Sequence, residues 1–292
     1  MLNYIAEIFC NRECKGVCKM GITFACIAPH GAKIISQLAG NEIEAFSKTR
    51  QGMEKIASLM KKQKIDTIII ATPHNLRLEG NIGIITTEFA EGSLRTDIGS
   101  IKMRVQCNRP LAKEVLRCAK ECKLPIVGVN YGTDEGLSSC MPMDWGTLIP
   151  LWFFGTQLLR PRIVIVTPSR EIPIENLEKL GSVIAQAAKK SSEKVAFVAS
   201  ADQAHTHDSK GPYGFHPAST KFDNLVKKAV KENNLGMLLH LEQQLIETAK
   251  PDSLWQIAIL FGVLHEVPMR GKLISYQAPT YFGMLCAAYM PP

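Results

Sequence analysis

Six short runs of apolar and β-branched residues recur along the chain, at Gly21–Ala28, Asp66–Thr72, Ile82–Thr87, Pro125–Val129, Arg162–Thr167 and Lys194–Ser200, each bounded by turn-forming residues. Runs that are apolar throughout, rather than on alternate positions, mark strands buried on both faces. Between several of them lie stretches with helical spacing, at Glu42–Lys62, Leu111–Lys123 and Ile174–Lys190. Strand–helix alternation of this kind predicts a single α/β domain: a central mixed β-sheet flanked by helices, with its active site at the C-terminal ends of the strands. The last third changes character. Ser219–Glu232, Gly236–Ala249 and Asp252–Leu264 read as three consecutive helices, and Leu273–Gln277 with Tyr281–Tyr289 as a closing strand pair.

Composition excludes several classes. With 46% hydrophobic and 21% charged residues in 292, the chain can bury one large core. Its longest apolar stretches, Leu254–Leu264 and Thr280–Met290, are too short to cross a bilayer, so no membrane span is expected. The formal charge of +7 is spread over helix-like faces without an aromatic-rich basic motif, which predicts a solvated basic surface and no nucleic-acid partner. Nine cysteines and an N-terminus without the pattern of a secretory leader point to a reducing, cytoplasmic setting. Three of them, Cys10, Cys14 and Cys18, fall at regular spacing. They read as free thiols on a loose extension over residues 1–19, with a soft-metal site as the other reading, and residues 20–292 form the domain proper.

The polar chemistry gathers at predicted strand ends. His30 in IAPHG follows the first strand, and His74 in ATPHN follows the second. Two imidazoles on equivalent Pro-His turns can face one ion, and with a carboxylate they would make the facial triad of non-haem Fe(II) oxygenases. His205 follows a third strand end in ADQAHTHDSKGPYGFHP and suits a general acid or base beside such a metal, with Asp202 or Tyr213 to orient it. His207 and His216 in the same loop read as bystanders, and His240 and His265 as structural. No glycine-rich phosphate cradle and no nucleophile elbow is present.

In order, IAPHG, ATPHN, MDWGTLIPL, SADQAHTHDSKGPYGFHPASTKFD and YQAPTYFGMLCAAY resemble the class III extradiol ring-cleavage dioxygenases, in particular the catalytic β subunit of protocatechuate 4,5-dioxygenase and the related Memo-like proteins. The likeness runs over nearly all of the chain after Met20. It implies that His30 and His74 hold Fe(II) with a late carboxylate, that His205 is the catalytic acid/base, and that a catechol- or aminophenol-like aromatic is opened with O2. Asp252, just before the helix containing Gly262, is the first choice for the carboxylate and Glu247 the alternative; as a plain structural residue Asp252 would be a helix N-cap. The likeness also implies a homo-oligomer, or a separate small subunit.

Two positions depart from the family's pattern. Where catalytic members carry Asp-His-Gly, this chain has Asp144-Trp145-Gly146, so a second active-site histidine is replaced and Asp144 and Trp145 become supporting or substrate-facing residues. Ala204 stands where a serine usually precedes the catalytic histidine. The departures keep two other readings open: a non-catalytic Memo-like metal- or ligand-binding protein, and a zinc-dependent hydrolase built on the same ligands.

Overall fold

The computed structural model describes residues 20–157 and 161–292; the predicted extension with Cys10, Cys14 and Cys18 lies outside them. In chain order the elements are β1 (Gly21–Ala28), α1 (Ser36–Ala39), α2 (Ser47–Gln63), β2 (Thr67–Ala71), β3 (Ile82–Ile85), β4 (Phe89–Arg95), β5 (Ser100–Gln106), α3 (Arg109–Glu121) and β6 (Ile126–Val129). There follow β7 (Cys140–Pro142), α4 (Trp145–Gln157), β8 (Arg162–Thr167), α5 (Ile174–Lys189), β9 (Lys194–Ser200), α6 (Ala218–Lys231), α7 (Gln243–Ala249), α8 (Leu254–Glu266), β10 (Arg270–Gln277) and β11 (Met284–Met290).

The domain is α/β, as the alternation predicts. Eight strands form a mixed sheet in the order β10-β11-β1-β9-β2-β8-β3-β6. Pairs β1/β9, β9/β2 and β2/β8 are parallel, whereas β1/β11 and β3/β8 are antiparallel. Successive side chains of the central strands feed opposite faces. On β8, Val164 and Val166 join the core under α3, α5, α6 and α8, while Ile163 and Ile165 join the core under α2 and α4. Each such fully buried side chain contributes roughly 1.5–3 kcal/mol of apolar burial.

Helices α5 and α8 cross closely because both carry glycine at the crossing. A Cβ on Gly262 would lie 1.8 Å from the Glu178 carbonyl oxygen, and one on Gly181 would lie 2.0 Å from that of Ile259. The tight crossing sets α8 firmly on the sheet and fixes where its first residues point.

Three features differ from the sequence expectation. A small second sheet, β5-β4-β7, lies beside the main one. The expected helix over Gly236–Ala249 is broken into a 3-10 turn at Leu235–Leu238 and the short α7, with Glu242 in extended backbone between them. MDWGTLIPL opens a helix, α4, which carries Pro150 inside it. No helix among the described residues is long and apolar enough to cross a membrane.

Candidate metal centre

Strand order explains why distant histidines meet. β1, β9 and β2 are adjacent and parallel, so their carboxyl ends lie side by side, with Ala28 level with Ser200 and Ala71 with Ala199. His30 comes two residues after β1, His74 three after β2, and Asp202 and His205 shortly after β9. Asp252 arrives from the opposite side, in the turn that leads into α8.

His30 Nε2, His74 Nε2 and a carboxylate oxygen of Asp252 all lie within 4.8 Å of one another. The two Nε2 atoms are 3.1 Å apart, and each is 3.3 Å from Asp252 Oδ2. His205 Nε2 is 3.9 Å from the same oxygen. Sequence reasoning placed these four residues together, and the fold brings them together.

The supporting atoms turn the free lone pairs of His30 and Asp252 toward the shared point. Ser200 Oγ donates to the Gly146 carbonyl at 2.5 Å, so it can only accept from His30 Nδ1, 3.0 Å away. That hydrogen bond puts the proton of neutral His30 on Nδ1 and leaves Nε2 free to bind an ion. His205 Nδ1 is likewise held 2.8 Å from the Gln203 carbonyl, and the His205 ring stacks on Phe282 at 5.5 Å. Asp252 Oδ1 accepts the Asp202 amide at 3.0 Å, while Oδ2 is buried and accepts no well-formed hydrogen bond. A buried carboxylate oxygen without a donor is costly unless a cation faces it.

Electrostatics agree with that geometry. Burial pulls the His30 imidazole down, but the carboxylates of Asp202 and Asp252 outweigh it and raise its pKa to about 9. Burial, reinforced by Asp252, raises Asp202 to about 6. Burial works against ionised Asp252 too, yet the histidines around it hold its carboxyl well below the usual range. The cluster carries an excess of negative potential, and the donor set of two imidazoles and a carboxylate fits a divalent transition metal.

The remaining predicted site residues fall into different places. Asp202, expected to orient His205, packs on His30: its Oδ1 accepts the His30 amide at 3.1 Å and its Oδ2 lies 3.3 Å from His30 Nε2. Asp144 caps α4, taking the Thr147 amide at 2.9 Å and the Thr72 hydroxyl at 2.7 Å. Gly146 is needed beside it, since a Cβ there would come within 2.5 Å of Thr72 Oγ1. Trp145 is 47% exposed and stacks on His74 with ring centroids 4.3 Å apart. Tyr213 meets His205 edge-on at 6.2 Å. Glu247 stands apart from the ligand cluster; its Oε1 accepts from Gln243 Nε2 at 2.9 Å. Asp252 is no helix cap, because Ser253 occupies that position.

Sequence reasoning missed Ser200 and the Gln203 carbonyl, whose roles depend on who stands opposite. It also passed over Asp223 of the FD pair, which is 1% exposed and accepts from the Ala204 amide at 2.9 Å and the Tyr276 hydroxyl at 2.7 Å, with His207 Nε2 at 2.8 Å. Asp223 thereby pins the residue before His205.

The model of the family described as "Catalytic LigB subunit of aromatic ring-opening dioxygenase" matches residues 24–285. The chain belongs to that family. The Clostridium acetobutylicum protein named "Protein CA_C1420" is 24% identical over 252 residues, 86% of this chain and 54% of that protein. The LigB chain thus spans about half the length of that curated relative. The crystal structure of uncharacterized protein JW3007 from Escherichia coli K12 has the same fold at a TM-score of 0.58 and 15% identity, covering 91% of this chain and 99% of that one.

Proposed function

We propose that this LigB-family chain is an Fe(II)-dependent extradiol-type dioxygenase acting on a catechol- or aminophenol-like aromatic. The reading rests on one observation above the others: His30 Nε2, His74 Nε2 and Oδ2 of Asp252, a buried oxygen that accepts no well-formed hydrogen bond, converge in a pocket at the carboxyl ends of adjacent parallel strands. The family match supports a ring-opening dioxygenase reaction. When bound, the metal supplies the Lewis acidity and redox capacity that bring an aromatic diol and O2 into reaction.

The chain's own residues do the rest. His205 keeps its proton-bearing Nδ1 on the Gln203 carbonyl and presents Nε2 toward Asp252, where it can take a proton from a substrate hydroxyl and return it as the ring opens. Phe282 against one face of His205 and Tyr281 at 5.8 Å fix the imidazole's plane and keep bulk water from it. Trp145, flat on His74, offers an exposed aromatic surface for a planar ring.

The test is O2 uptake by anaerobically iron-reconstituted protein with a panel of catechols and aminophenols. Turnover that disappears in His205→Ala while iron content stays is the expected result; no uptake from iron-loaded protein with any of the panel sinks the enzyme reading. One observation favours a second reading, a metal-dependent binding protein without turnover. Trp145 fills the place of the family's second histidine, and the acid/base work falls to His205 alone. Under that reading ligands bind to iron-loaded protein and no O2 is consumed. Metal analysis of protein isolated without added metal separates iron from zinc, and with it the hydrolase alternative.

A further inference from the structure

The two edges of the main sheet are finished differently. At one edge, β10 carries Arg270 and Lys272, shifts register against β11 between Leu273 and Ser275, and has the Lys227 ammonium 4.2 Å from the centre of its Tyr276 ring. Charges and bulges of this kind keep an edge strand from pairing with another chain. At the other edge β6 has none of them. Ile126–Val129 holds no charge and no proline, pairs with β3 without a register shift, and among the described residues has no strand on its far side.

The hydrogen bonds to β3 show which groups of β6 are left over. The Pro125 and Val129 carbonyls accept from the Ile82 and Thr86 amides at 2.8 Å, so Pro125, Val127 and Val129 turn their backbone groups toward β3. Backbone groups of successive residues in a strand point to opposite sides, which aims the N–H and C=O of Ile126 and Gly128 outward. Val127 shares a sheet face with Val129 but is exposed, and the turn that follows carries the exposed Tyr131 and Leu137. Charge is divided along the same segment. Exposed Lys120 and Lys123 precede the strand, while Asp134 and Glu135 follow it, their side chains 84% and 78% exposed and Arg109 only loosely placed at 3.5 and 4.0 Å.

We infer that β6 is the contact strand of a homodimer, in which a second copy of this chain adds its own β6 antiparallel across a two-fold axis at Val127. Ile126 of each copy then stands opposite Gly128 of the other, so every outward N–H and C=O of the two strands finds a partner, and the two Val127 side chains close over the axis. Charge sets the direction and the occupant. Antiparallel pairing lays the Lys120–Lys123 end of one copy beside the Asp134–Glu135 end of the other, twice by symmetry, whereas parallel pairing would set like charges together. The segment is thus complementary to itself, which an unrelated strand would match only in its main-chain bonds. The inference is independent of the proposed function, since β8 and β3 separate β6 from the β2 end that carries His74.

The experiment measures the mass of the full chain by sedimentation equilibrium over a concentration series. A reversible monomer–dimer equilibrium is expected, because a four-residue strand makes a small contact. Val127→Lys sets two like charges on the axis and should weaken the dimer about 100-fold, while Val127→Thr, which keeps the branched shape, should stay within about threefold. Lys123→Glu and Glu135→Lys should each weaken it about tenfold, and the two together should restore it. Thermal unfolding of each variant at a dilution where the chain is monomeric confirms that the fold is intact. A parent chain that stays monomeric up to about 100 μM, a dimer that a folded Val127→Lys leaves unchanged, or a double reversal no tighter than the single ones overturns the inference.

Discussion

The inner and outer walls of one cleft are built on opposite terms. On the inner wall His30 and Asp252 are 2% and 3% exposed, and the supporting atoms around them have assigned partners: Ser200 on His30, the Asp202 amide on Asp252, the Gln203 carbonyl on His205. The outer wall is open, and its charges lie on Arg77, Arg170 and Lys250 against the single carboxylate of Glu247. In the dry region a displaced hydrogen bond leaves a buried group unsatisfied, so geometry is enforced residue by residue. In the wet region the field of several charges matters more than any one position. The inner wall thus offers one point where an ion could be held, and the outer wall lines the approach to it.

Substitutions ordered by expected size can break that contrast. Asp252→Asn removes the charge from the inner wall and should weaken Fe(II) binding about 1000-fold in anaerobic titrations, the order expected for unmaking a buried ionic contact. An affinity within a few-fold of the parent would mean that Asp252 is not a ligand. Asp223→Ala strips the acceptor from the Ala204 amide, Tyr276 and His207. About 3 kcal/mol of stability should be lost in thermal or denaturant unfolding, with iron affinity far less affected than in Asp252→Asn.

Ser200→Ala leaves the ligands in place but frees His30 Nδ1, and a 10- to 100-fold loss of metal affinity is expected, the usual cost of losing a support behind a ligating histidine. No change would show that the ring is oriented by packing alone. Glu247→Gln is the smallest. Because Glu247 lies on the outer wall, iron affinity should stay within about twofold, a shift no larger than a screened surface charge produces. A loss comparable to that of Asp252→Asn would move the carboxylate ligand to Glu247.

Much of the inner wall was readable before the fold was known, and for a physical reason. Buried parallel strands announce themselves as apolar runs, ligands collect at their carboxyl ends, and His30, His74 and His205 follow three such runs directly. The carboxylate was harder, because an Asp after a proline and before a helix is equally at home as a cap; Ser253 at the N-cap and the Asp202 amide opposite Oδ1 distinguish the two. Asp202, expected with Tyr213 as a partner for His205, makes its direct contacts with His30 for the same reason. Both rings are within its loop's reach, and tertiary position decides between them.

The small sheet escaped notice although β5 alternates polar and apolar residues over Ser100–Gln106, because Gly92 and Ser93 interrupt that alternation in β4 and β7 is only three residues long. Helix α4 was obscured by Pro150 and by apolar side chains on all sides, which blur helical periodicity. The outer wall was unreadable for a different reason. Arg77, Arg170 and Lys250 come from three separate loops, and each alone is an ordinary surface cation.

His30, His74 and Asp252 are expected to hold one divalent metal. Crystals soaked with Fe(II) without oxygen, measured at the iron absorption edge, test it most directly. A single anomalous peak in direct contact with His30 Nε2, His74 Nε2 and Asp252 Oδ2 is the predicted result. A peak elsewhere on the molecule, or none at full soaking, would contradict it.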